Sequence, residues 1–125
     1  METAEFVSET STYGSRQTHL PLEPDCVSAY IDEEGRLTIH SKSIGIHLHS
    51  AMINTGIGVE LDKLRLIQNP AGGTFGYKFS PTMEALLGVA CLACDSRPVS
   101  LVYNMYQQIT YTGKRSPAFM NLKVA

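Results

Sequence analysis

Apolar and polar residues alternate over several short stretches of the chain, and a period of two residues predicts half-buried β-strands. The strands expected on this pattern are Thr3–Tyr13, Asp25–Asp32, Arg36–Lys42, Leu64–Gln68, Val99–Asn104 and Ala118–Ala125. A short segment ending in Gly35 separates the second strand from the third, and glycine suits the left-handed position of a hairpin loop. The pattern therefore predicts one antiparallel hairpin, while longer segments separate the other strands.

Two longer stretches have apolar residues at helical spacing instead. The first helix is expected over Ile44–Asn54, with Ser43 as its N-cap and Gly56 as the residue just beyond its end. The second is expected over about Pro81–Cys94, because proline suits the first helical position and Ser80 can cap it. One face of the first helix is apolar and carries Ile44, Leu48, Ala51 and Met52.

The order of these elements indicates the fold class. Two strand–helix–strand connections and one hairpin predict an α+β fold in two layers, a mixed β-sheet with the helices packed on one face. Met105–Tyr111 is polar and aromatic, which leaves a short helix and a loop open, and Thr112–Pro117 is expected to be a loop. The 125 residues predict one domain, a single subdomain over residues 1–125. Because the chain ends inside a predicted strand, we expect it to be a piece of a longer protein.

The composition argues against some classes of partner. A hydrophobic fraction of 43% and a charged fraction of 18% are typical of a globular protein, and a net charge of -2 is not the basic footprint that nucleic acids or membrane surfaces attract. No apolar run approaches the ~20 residues of a membrane span. The acidic, polar N-terminus is not a secretory signal. We expect no nucleic-acid or membrane partner and a cytoplasmic location, with a periplasmic one left open.

The three cysteines do not suggest a disulfide framework, because their number is odd. Cys91 and Cys94 have the CxxC spacing, but they lie inside an apolar helical run rather than at a helix start, where a thiolate would be stabilised. No second pair of ligands follows to complete a metal site. We therefore expect both to be small, buried and unreactive.

The stretch Pro70–Phe79 is the strongest candidate for binding chemistry. It joins a predicted strand to a predicted helix, and three of its residues from Gly72 to Gly76 are glycines. Backbone N–H groups in such a bend can face an anion, and glycine lets the main chain approach closely. The stretch lacks the Gly-Lys-Ser/Thr ending of a phosphate-binding loop and the spacing of a dinucleotide fingerprint. A tight turn that binds nothing remains the alternative.

Few titratable residues suggest catalysis. His47 and His49 lie two positions apart in a predicted helix, so their side chains diverge and a shared metal ion is not expected. His47, in the first turn, is a candidate hydrogen-bonding partner for a ligand. Glu23 follows His19 by four residues in a proline-bounded segment. Because nothing nearby resembles a nucleophile, we expect Glu23 to fix a turn by accepting backbone N–H bonds rather than to form an acid/base pair with His19. Lys114-Arg115 is expected in a solvated loop.

Three separated segments resemble motifs of the molybdenum hydroxylases, the family that includes xanthine dehydrogenase and aldehyde oxidase. Gly72–Lys78 resembles the family's GGGFGGK loop. Gln17–Pro24 is similar to its Q-x-H-x-x-x-E-P segment, and Thr112–Pro117 to its T-G-G/K-R-x-P segment. Within the family, the loop resembles in particular that of the FAD-independent aldehyde oxidoreductases of sulfate-reducing bacteria, which also reads GGTFGYKF. The resemblance covers nearly the whole chain.

The resemblance implies that the chain is one subdomain of the molybdopterin-binding region of an aldehyde oxidoreductase, which converts aldehydes to carboxylic acids. The residues implied to contact the cofactor are those of the loop, Gly72, Gly73, Thr74, Phe75 and Gly76, with His47 as a weaker candidate. Phe79 and Tyr77 would line the substrate channel. Phe79 stands where xanthine-oxidising members carry a purine-binding glutamate, which favours an aldehyde because an apolar ring cannot hydrogen-bond a purine.

Other parts of such a site would lie outside this chain. The resemblance places the catalytic glutamate and the cysteines of two [2Fe-2S] clusters elsewhere, so no catalytic residue and no direct metal ligand are expected here. It implies molybdenum on a molybdopterin cytosine dinucleotide, contacts with other domains of the same chain, a small aldehyde substrate and a homodimeric parent. Lys42 stands near a position where many members carry glutamine, so its role is left unassigned. The alternative is a non-catalytic structural or interface module whose glycine-rich loop is only a turn.

Overall fold

The computed structural model describes residues 5–125, so Thr3 and Ala4 of the first predicted strand lie outside the described residues. The elements in chain order are β1 (Ser8–Gly14), β2 (Gln17–Thr18), β3 (Cys26–Ile31), β4 (Leu37–Ser41), α1 (Ile46–Ile57), a 3₁₀ turn (Leu61–Lys63), β5 (Leu64–Gln68), α2 (Glu84–Ala93), β6 (Val99–Val102), α3 (Met105–Tyr111), β7 (Lys114–Arg115) and β8 (Ala118–Val124). None of the described helices has the length and apolar character needed to cross a membrane. The chain divides into two compact units, His19–Thr112 and the pair of segments Met1–Thr18 and Gly113–Ala125. The sequence predicted a single subdomain over residues 1–125, which stays a prediction.

Four strands of the unit His19–Thr112 form a mixed sheet in the order β5-β4-β3-β6. β3 and β4 form the predicted antiparallel hairpin, β4 and β5 run parallel, and β6 is antiparallel to β3. The connection through α1 joins β4 to β5, and the connection through α2 joins β5 to β6. Both therefore link strands that run in the same direction, as crossover connections do. The predicted α+β class with a mixed sheet is confirmed.

The hairpin turn between β3 and β4 is built by one carboxylate and one glycine. Gly35 takes the left-handed conformation with a φ of 73°. Asp32 Oδ1 accepts the backbone N–H of Glu34 at 3.0 Å and that of Arg36 at 2.9 Å. The Arg36 N–H is the main cause that lowers the pKa of Asp32 to about 2; desolvation opposes it, and bonds from the Thr38 hydroxyl and the Arg36 side chain add to it.

The core lies between one face of this sheet and the two longer helices. Its buried members come from β3, β4, β5, α1, α2 and the residue before α2: Val27, Ala29, Leu37, Ile39, Ile53, Leu64, Met83, Leu87 and Cys91. α2 packs on β3 and β4, and α1 packs on β5 and α2. Each large apolar side chain that is fully buried contributes about 1.5–3 kcal/mol. The predicted two-layer arrangement is confirmed for α1 and α2.

The apolar face predicted for the first helix is not the face that enters this core. Leu48 and Met52 are exposed, whereas His49 and Ile53 are the buried residues of α1. These two residues and Ile57, which packs against the core, are spaced four apart and lie on one face of the helix. The outward face of α1 is thus apolar as well, and sequence periodicity alone could not choose between the two faces.

Gly88 lies where α2 packs tightly on the core. A Cβ atom there would be 3.2 Å from Leu37 Cδ2, 3.3 Å from Ile57 Cδ1 and 3.4 Å from Ile39 Cδ1. We expect Gly88→Val to destabilise α2 by about 1–3 kcal/mol, because the added methyl groups overpack these side chains. Amide hydrogen exchange of α2 in the full-length protein measures the change. Gly56→Val is the matched control, since a Cβ at Gly56 meets nothing within 4 Å; equal effects would contradict the packing explanation.

Both ends of α1 differ from the prediction. Gly45 is the N-cap, and Ser43 instead accepts the N–H of Gly45 through Oγ at 2.9 Å. At the other end the helix continues through Gly56. It ends at Gly58, which has a φ of 73° and donates its N–H to Asn54 O at 2.9 Å. Either glycine suits a left-handed helix end, so only the packing of the last turn selects the later one.

The start of α2 also lies later than predicted. The helix begins at Glu84, with Met83 as N-cap, so the prediction of Pro81 as its first residue and Ser80 as its cap is wrong. The reason is local, because Glu84 Oε2 accepts the N–H of Thr82 at 2.8 Å and that of Met83 at 3.2 Å. A carboxylate in the first turn thereby takes the orphan donors that a serine cap would have taken.

The stretch whose structure the sequence left open, Met105–Tyr111, is a helix. Asn104 Oδ1 accepts the Gln107 N–H, and Gln107 Oε1 accepts the Asn104 N–H, both at 2.9 Å. This reciprocal capping box satisfies two donors at the helix start. Asn104 and Gln107 at this spacing were the signal that could have decided the question from sequence.

The two cysteines of the CxxC spacing differ in their surroundings. Cys91 is fully buried, as predicted, and burial raises the pKa of its thiol, with a smaller contribution from nearby Cys94. Cys94 is exposed, so the prediction of burial is wrong for this residue. It caps the end of α2, and the helix is followed by Asp95 and Ser96 with φ values of 53° and 62°. Because α2 ends at this point, the side chain of Cys94 does not reach the core.

The other unit consists of paired strands. β1 is antiparallel to β8, with a register that runs from Ser8 opposite Val124 to Gly14 opposite Ala118. The first strand, predicted to end at Tyr13, extends to Gly14, which is its last paired residue. β2 pairs with β7, so Lys114–Arg115, predicted to lie in a loop, forms a short strand.

Candidate functional site

The glycine-rich loop follows β5 and leads to α2. Gly73 and Gly76 have φ values of 97° and 84°, and Phe75 has a φ of 49°. The Tyr77 N–H donates to Thr74 O at 2.8 Å, which closes a tight turn. For a residue with a Cβ, the left-handed conformation of Phe75 costs about 1–2 kcal/mol. Such outliers often lie at functional sites, where the surrounding structure enforces them.

Three backbone N–H groups of this turn are available to a ligand. Within residues 5–125, the N–H groups of Gly73, Thr74 and Gly76 have no hydrogen-bond acceptor. The N–H of Gly72 is already used, because it donates to Glu23 Oε2 at 2.7 Å. Neighbouring N–H groups in a glycine-rich turn form a concavity that suits an anion. The loop therefore has three backbone donors that could meet an anion, whereas Gly72 directs its own donor toward Glu23. The predicted contacts of Gly72, Gly73, Thr74, Phe75 and Gly76 with a cofactor stay predictions.

The glycines of the loop are required for different reasons. A Cβ at Gly72 would lie 2.8 Å from Glu23 Cβ, so only glycine allows this approach. A Cβ at Gly73 would lie 3.1 Å from the Phe75 ring. A Cβ at Gly76 would have no atom of residues 5–125 within 4 Å apart from its chain neighbours, so glycine is needed there for the left-handed backbone alone. Open space beside Gly76 is what a close approach of a ligand to the backbone requires.

Glu23 holds the loop through two lysines, and we call Glu23, Lys42 and Lys78 the Glu23 brace. Lys42 Nζ lies 2.6 Å from Glu23 Oε1, and Lys78 Nζ lies 3.1 Å from Glu23 Oε2. Lys42 also donates to Pro70 O at 2.9 Å. The brace thus contacts the loop near its start, through Pro70 and Gly72, and near its end, through Lys78. The structural role of Lys42, which the sequence left unassigned, is to tie Pro70 to Glu23.

The brace is largely shielded from water. The Lys78 side chain is 3% exposed, that of Lys42 is 13% exposed and that of Glu23 is 28% exposed. Desolvation alone would raise the pKa of Glu23, but the hydrogen bonds from Lys42, the Gly72 N–H and Lys78 outweigh it and lower the pKa to about 2. Glu23 is therefore a carboxylate at neutral pH. The prediction that it fixes a turn by accepting a backbone N–H is confirmed.

Tyr77 lies in the interior beneath the loop. Its hydroxyl donates to Asp25 Oδ2 at 2.7 Å, the Thr82 hydroxyl donates to the same oxygen at 2.9 Å, and its ring lies 5.5 Å from that of His19. Burial raises the pKa of Tyr77; the hydrogen bond from Thr82 opposes this, and the Asp25 carboxylate adds to it. Tyr77 therefore remains a neutral donor that anchors the loop. Its predicted place in a substrate channel stays a prediction.

The other predicted site residues differ in exposure. Phe75 and Phe79 are each 57% exposed, so both rings are accessible in this chain. His47 is exposed on α1, and its predicted contact with the cofactor stays a prediction. His49 is fully buried instead.

The sequence did not reveal the residues that support the loop. Lys78, Lys42 and Asp25 lie far apart along the chain, and nothing local indicates that two lysines lie against one carboxylate. Lysine is rarely buried without a partner, so a lysine close to a predicted buried strand or loop was the one signal that could have suggested a counter-ion. Glu23 was the available candidate for that counter-ion.

Direct metal ligation is not suggested by the described side chains. Residues 5–125 contain no group of three or more His, Cys, Asp or Glu residues that could hold a metal ion. The donor set of the loop is instead a row of backbone N–H groups. Such donors suit the anionic oxygens of a cofactor.

The whole chain, residues 1–125, matches the family described as a molybdopterin cofactor-binding domain. The chain belongs to this family. The resemblance to molybdenum hydroxylases seen in the sequence is thereby confirmed.

Relatives of this molybdopterin cofactor-binding domain are oxidoreductases. The domain is 57% identical to the aldehyde oxidoreductase of Megalodesulfovibrio gigas over 122 residues. This matched region is 98% of this chain and 13% of that protein. The domain is 28% identical to the nicotinate dehydrogenase large molybdopterin subunit of Eubacterium barkeri, over 95% of this chain and 28% of that subunit. The crystal structure of the aldehyde oxidoreductase from Desulfovibrio desulfuricans ATCC 27774 matches with a TM-score of 0.83 and 57% identity, over 94% of this chain and 13% of that one. The domain thus spans about an eighth of the length of the aldehyde oxidoreductases that it matches.

Proposed function

We propose that this domain is part of a molybdenum-dependent aldehyde oxidoreductase, in which it lines the metal site. The support is the 57% identity to an aldehyde oxidoreductase and the membership of the molybdopterin cofactor-binding family. The cofactor, when bound, would supply the redox centre at which an aldehyde is oxidised to a carboxylic acid with oxygen from water. The domain itself contributes binding and orientation rather than a catalytic group.

The observation that carries this proposal is the glycine-rich turn. Three of its backbone N–H groups have no acceptor within residues 5–125, and the Glu23 brace holds the turn in place. Gly73, Thr74 and Gly76 would donate hydrogen bonds to anionic oxygens of the cofactor. The Phe75 ring would pack against it. Gly72 acts indirectly, by fixing the turn on Glu23 at 2.7 Å. Donors fixed before the ligand arrives need no reorganisation on binding, so they favour tight contact.

Substrate choice is assigned to the exit of the loop. Phe79 is 57% exposed in this chain and would present an apolar wall to the substrate channel, whereas the buried Tyr77 would set the position of the backbone that carries Phe79. An apolar wall accepts an aldehyde and leaves the polar edge of a purine unpaired, which is unfavourable. From this apolar wall we infer that the substrate is a small aldehyde.

Phe79→Glu in the full-length enzyme tests this assignment. We expect kcat/KM for aldehydes to fall about 10- to 200-fold, because a charged group replaces an apolar contact. Phe79→Leu is the matched control and should retain most of the activity, since leucine keeps the wall apolar. Steady-state kinetics with a series of aldehydes measures both. An unchanged kcat/KM in Phe79→Glu would place Phe79 outside the channel and leave the cofactor assignment of the loop untouched.

Further properties of the parent protein are part of the proposal. We infer a molybdopterin cytosine dinucleotide, two [2Fe-2S] clusters bound outside this domain, a homodimeric parent and a cytoplasmic location. His47 would be a further contact with the cofactor from the start of α1. Analysis of molybdenum, iron and pterin in the purified full-length protein tests the cofactors. A pterin without cytidine would contradict the dinucleotide, and a protein without iron would contradict the clusters.

A further inference from the structure

His49 is a buried titratable residue that the proposed function does not use. It lies on α1 and is fully buried. Neither of its ring nitrogens, Nδ1 or Nε2, has a hydrogen-bond partner in the part of the chain that the structure describes. A neutral imidazole carries one N–H donor and one acceptor, and buried polar groups are normally bonded to protein or ordered water. His49 therefore needs a partner that the described residues do not provide.

A small polar cavity adjoins His49. It has about 10 Å³ of space for the centre of a water molecule, which is close to what one water requires. Besides His49, polar side chains that line it include Asp25, Ser43, Lys78 and Thr82. The cavity is thus too small for an organic ligand, and its lining suits a molecule that both donates and accepts hydrogen bonds.

Several lining groups have hydrogen-bonding capacity left over. Asp25 accepts from Tyr77 and Thr82 through Oδ2, so its other carboxyl oxygen, Oδ1, is the atom that can accept from a molecule in the cavity. Ser43 Oγ accepts the Gly45 N–H, while the acceptor of its own hydroxyl proton is not among the described residues. A buried water typically makes about three hydrogen bonds. His49 and these two side chains together offer that number.

We propose that this cavity binds one water molecule, hydrogen-bonded to His49 and to polar groups of the lining. The water links α1, which carries His49, to the segments that carry Asp25 and Ser43. His49 is the anchor of the site, because it is the buried lining residue whose polar side-chain atoms are all unpaired within the described chain. The proposal does not depend on the cofactor, and it assigns His49 a positioning role rather than a catalytic one.

A crystal structure of the full-length protein that resolves ordered waters tests the site directly. We expect one solvent peak in the cavity at about 2.7–3.2 Å from Nδ1 or Nε2 of His49. An empty cavity would overturn the proposal. Hydrogen bonds from both His49 nitrogens to residues of another domain would overturn it as well.

Replacing His49 by leucine distinguishes a bound water from unsatisfied ring nitrogens, because the two predict opposite changes in the amide exchange rate of α1. If the nitrogens are unsatisfied, His49→Leu removes two unpaired polar atoms and amide exchange in α1 slows or stays equal. If a water is bound, the substitution breaks its hydrogen bond and we expect exchange in α1 to become about five- to tenfold faster in the full-length protein, the change expected for the loss of one hydrogen bond. His49→Gln, which retains a donor and an acceptor, should lie between wild type and His49→Leu. Met52→Leu, at an exposed position of the same helix with no assigned role, is the control for local stability.

Discussion

Replacing Gly76 by valine in the full-length protein is expected to lower its molybdenum content at least about tenfold while the fold of the domain is retained. The φ of Gly76 is 84°, and a β-branched residue in that conformation carries a strain of about 1–3 kcal/mol. The turn relieves the strain by changing its backbone angles, and the N–H groups of Thr74 and Gly76 then point elsewhere. A shift of about 1.4 kcal/mol in binding corresponds to a tenfold change in affinity.

The space around Gly76 sharpens this expectation. Apart from its chain neighbours, no heavy atom of residues 5–125 lies within 4 Å of a Cβ placed there, so the first atom of the added side chain meets no steric barrier. Any loss of metal therefore reports on the backbone of the turn and on what approaches it from outside. Molybdenum is measured by elemental analysis, and retention of the fold by circular dichroism and by amide exchange of the core strands.

Gly58→Val is the matched control for strain. Gly58 has a φ of 73°, and a Cβ placed on it would also meet nothing within 4 Å, but this glycine caps α1 rather than forming part of the loop. The substitution should lower local stability while molybdenum content stays at the wild-type level. If Gly76→Val retains its molybdenum, the loop is only a turn and the alternative of a non-catalytic module gains support. If both variants lose molybdenum equally, general destabilisation explains the effect.

The sequence could predict those parts of the domain that depend on local chemistry. The hairpin at Gly35 and the glycine-rich turn were found because glycine is needed where φ is positive, and Gly35, Gly73 and Gly76 all have positive φ values in the structure. The class of the fold followed from the order of strands and helices. The ends of the helices were harder to predict from sequence, since Gly56 and Gly58 are chemically equivalent caps and only packing distinguishes them.

The supports of the candidate site depend on contacts between distant residues, which no local pattern encodes. Glu23, Lys42 and Lys78 meet because β4 and the glycine-rich loop end beside the same proline-bounded segment. The sequence could not indicate whether His47 or His49 is buried for the same reason. Packing decides which face of α1 points to the core, and the sequence could not, because both faces of the helix carry apolar residues.

Replacing Glu23 by glutamine is expected to destabilise the loop by about 3 kcal/mol and to reduce molybdenum content, because the amide cannot neutralise the two lysines. The pKa of Glu23 falls from 4.5 to about 2 in the folded protein. One pKa unit corresponds to about 1.36 kcal/mol, which gives the stated order of magnitude. Breaking a buried ion pair by removing one partner is more damaging than losing an exposed pair, since Lys78, at 3% exposure, would keep its charge without a counter-ion.

The same pKa predicts how the loop responds to acid. Because the folded value lies below the ordinary one, the ionised carboxylate binds its partners only in the folded state, and its contribution is fully present above pH 4.5. The contribution is lost as the pH falls from 4.5 through about 2, where Glu23 becomes protonated. In wild type, protection of the loop amides should therefore decline over this window. Glu23→Gln should show a smaller decline, since the carboxylate that holds Gly72 and the two lysines is absent.

Amide hydrogen exchange of the segment 70–79 in the full-length protein measures both effects. At neutral pH, Glu23→Gln should exchange about 100-fold faster than wild type, as a loss of about 3 kcal/mol requires. Glu9→Gln is the control, because it removes a carboxylate from an exposed ion pair with Lys123, and such pairs contribute about 0–1 kcal/mol. It should leave exchange in the loop unchanged. A Glu23→Gln variant with wild-type exchange would show that the two lysines do not depend on Glu23. The turn would then owe its shape to its glycines alone.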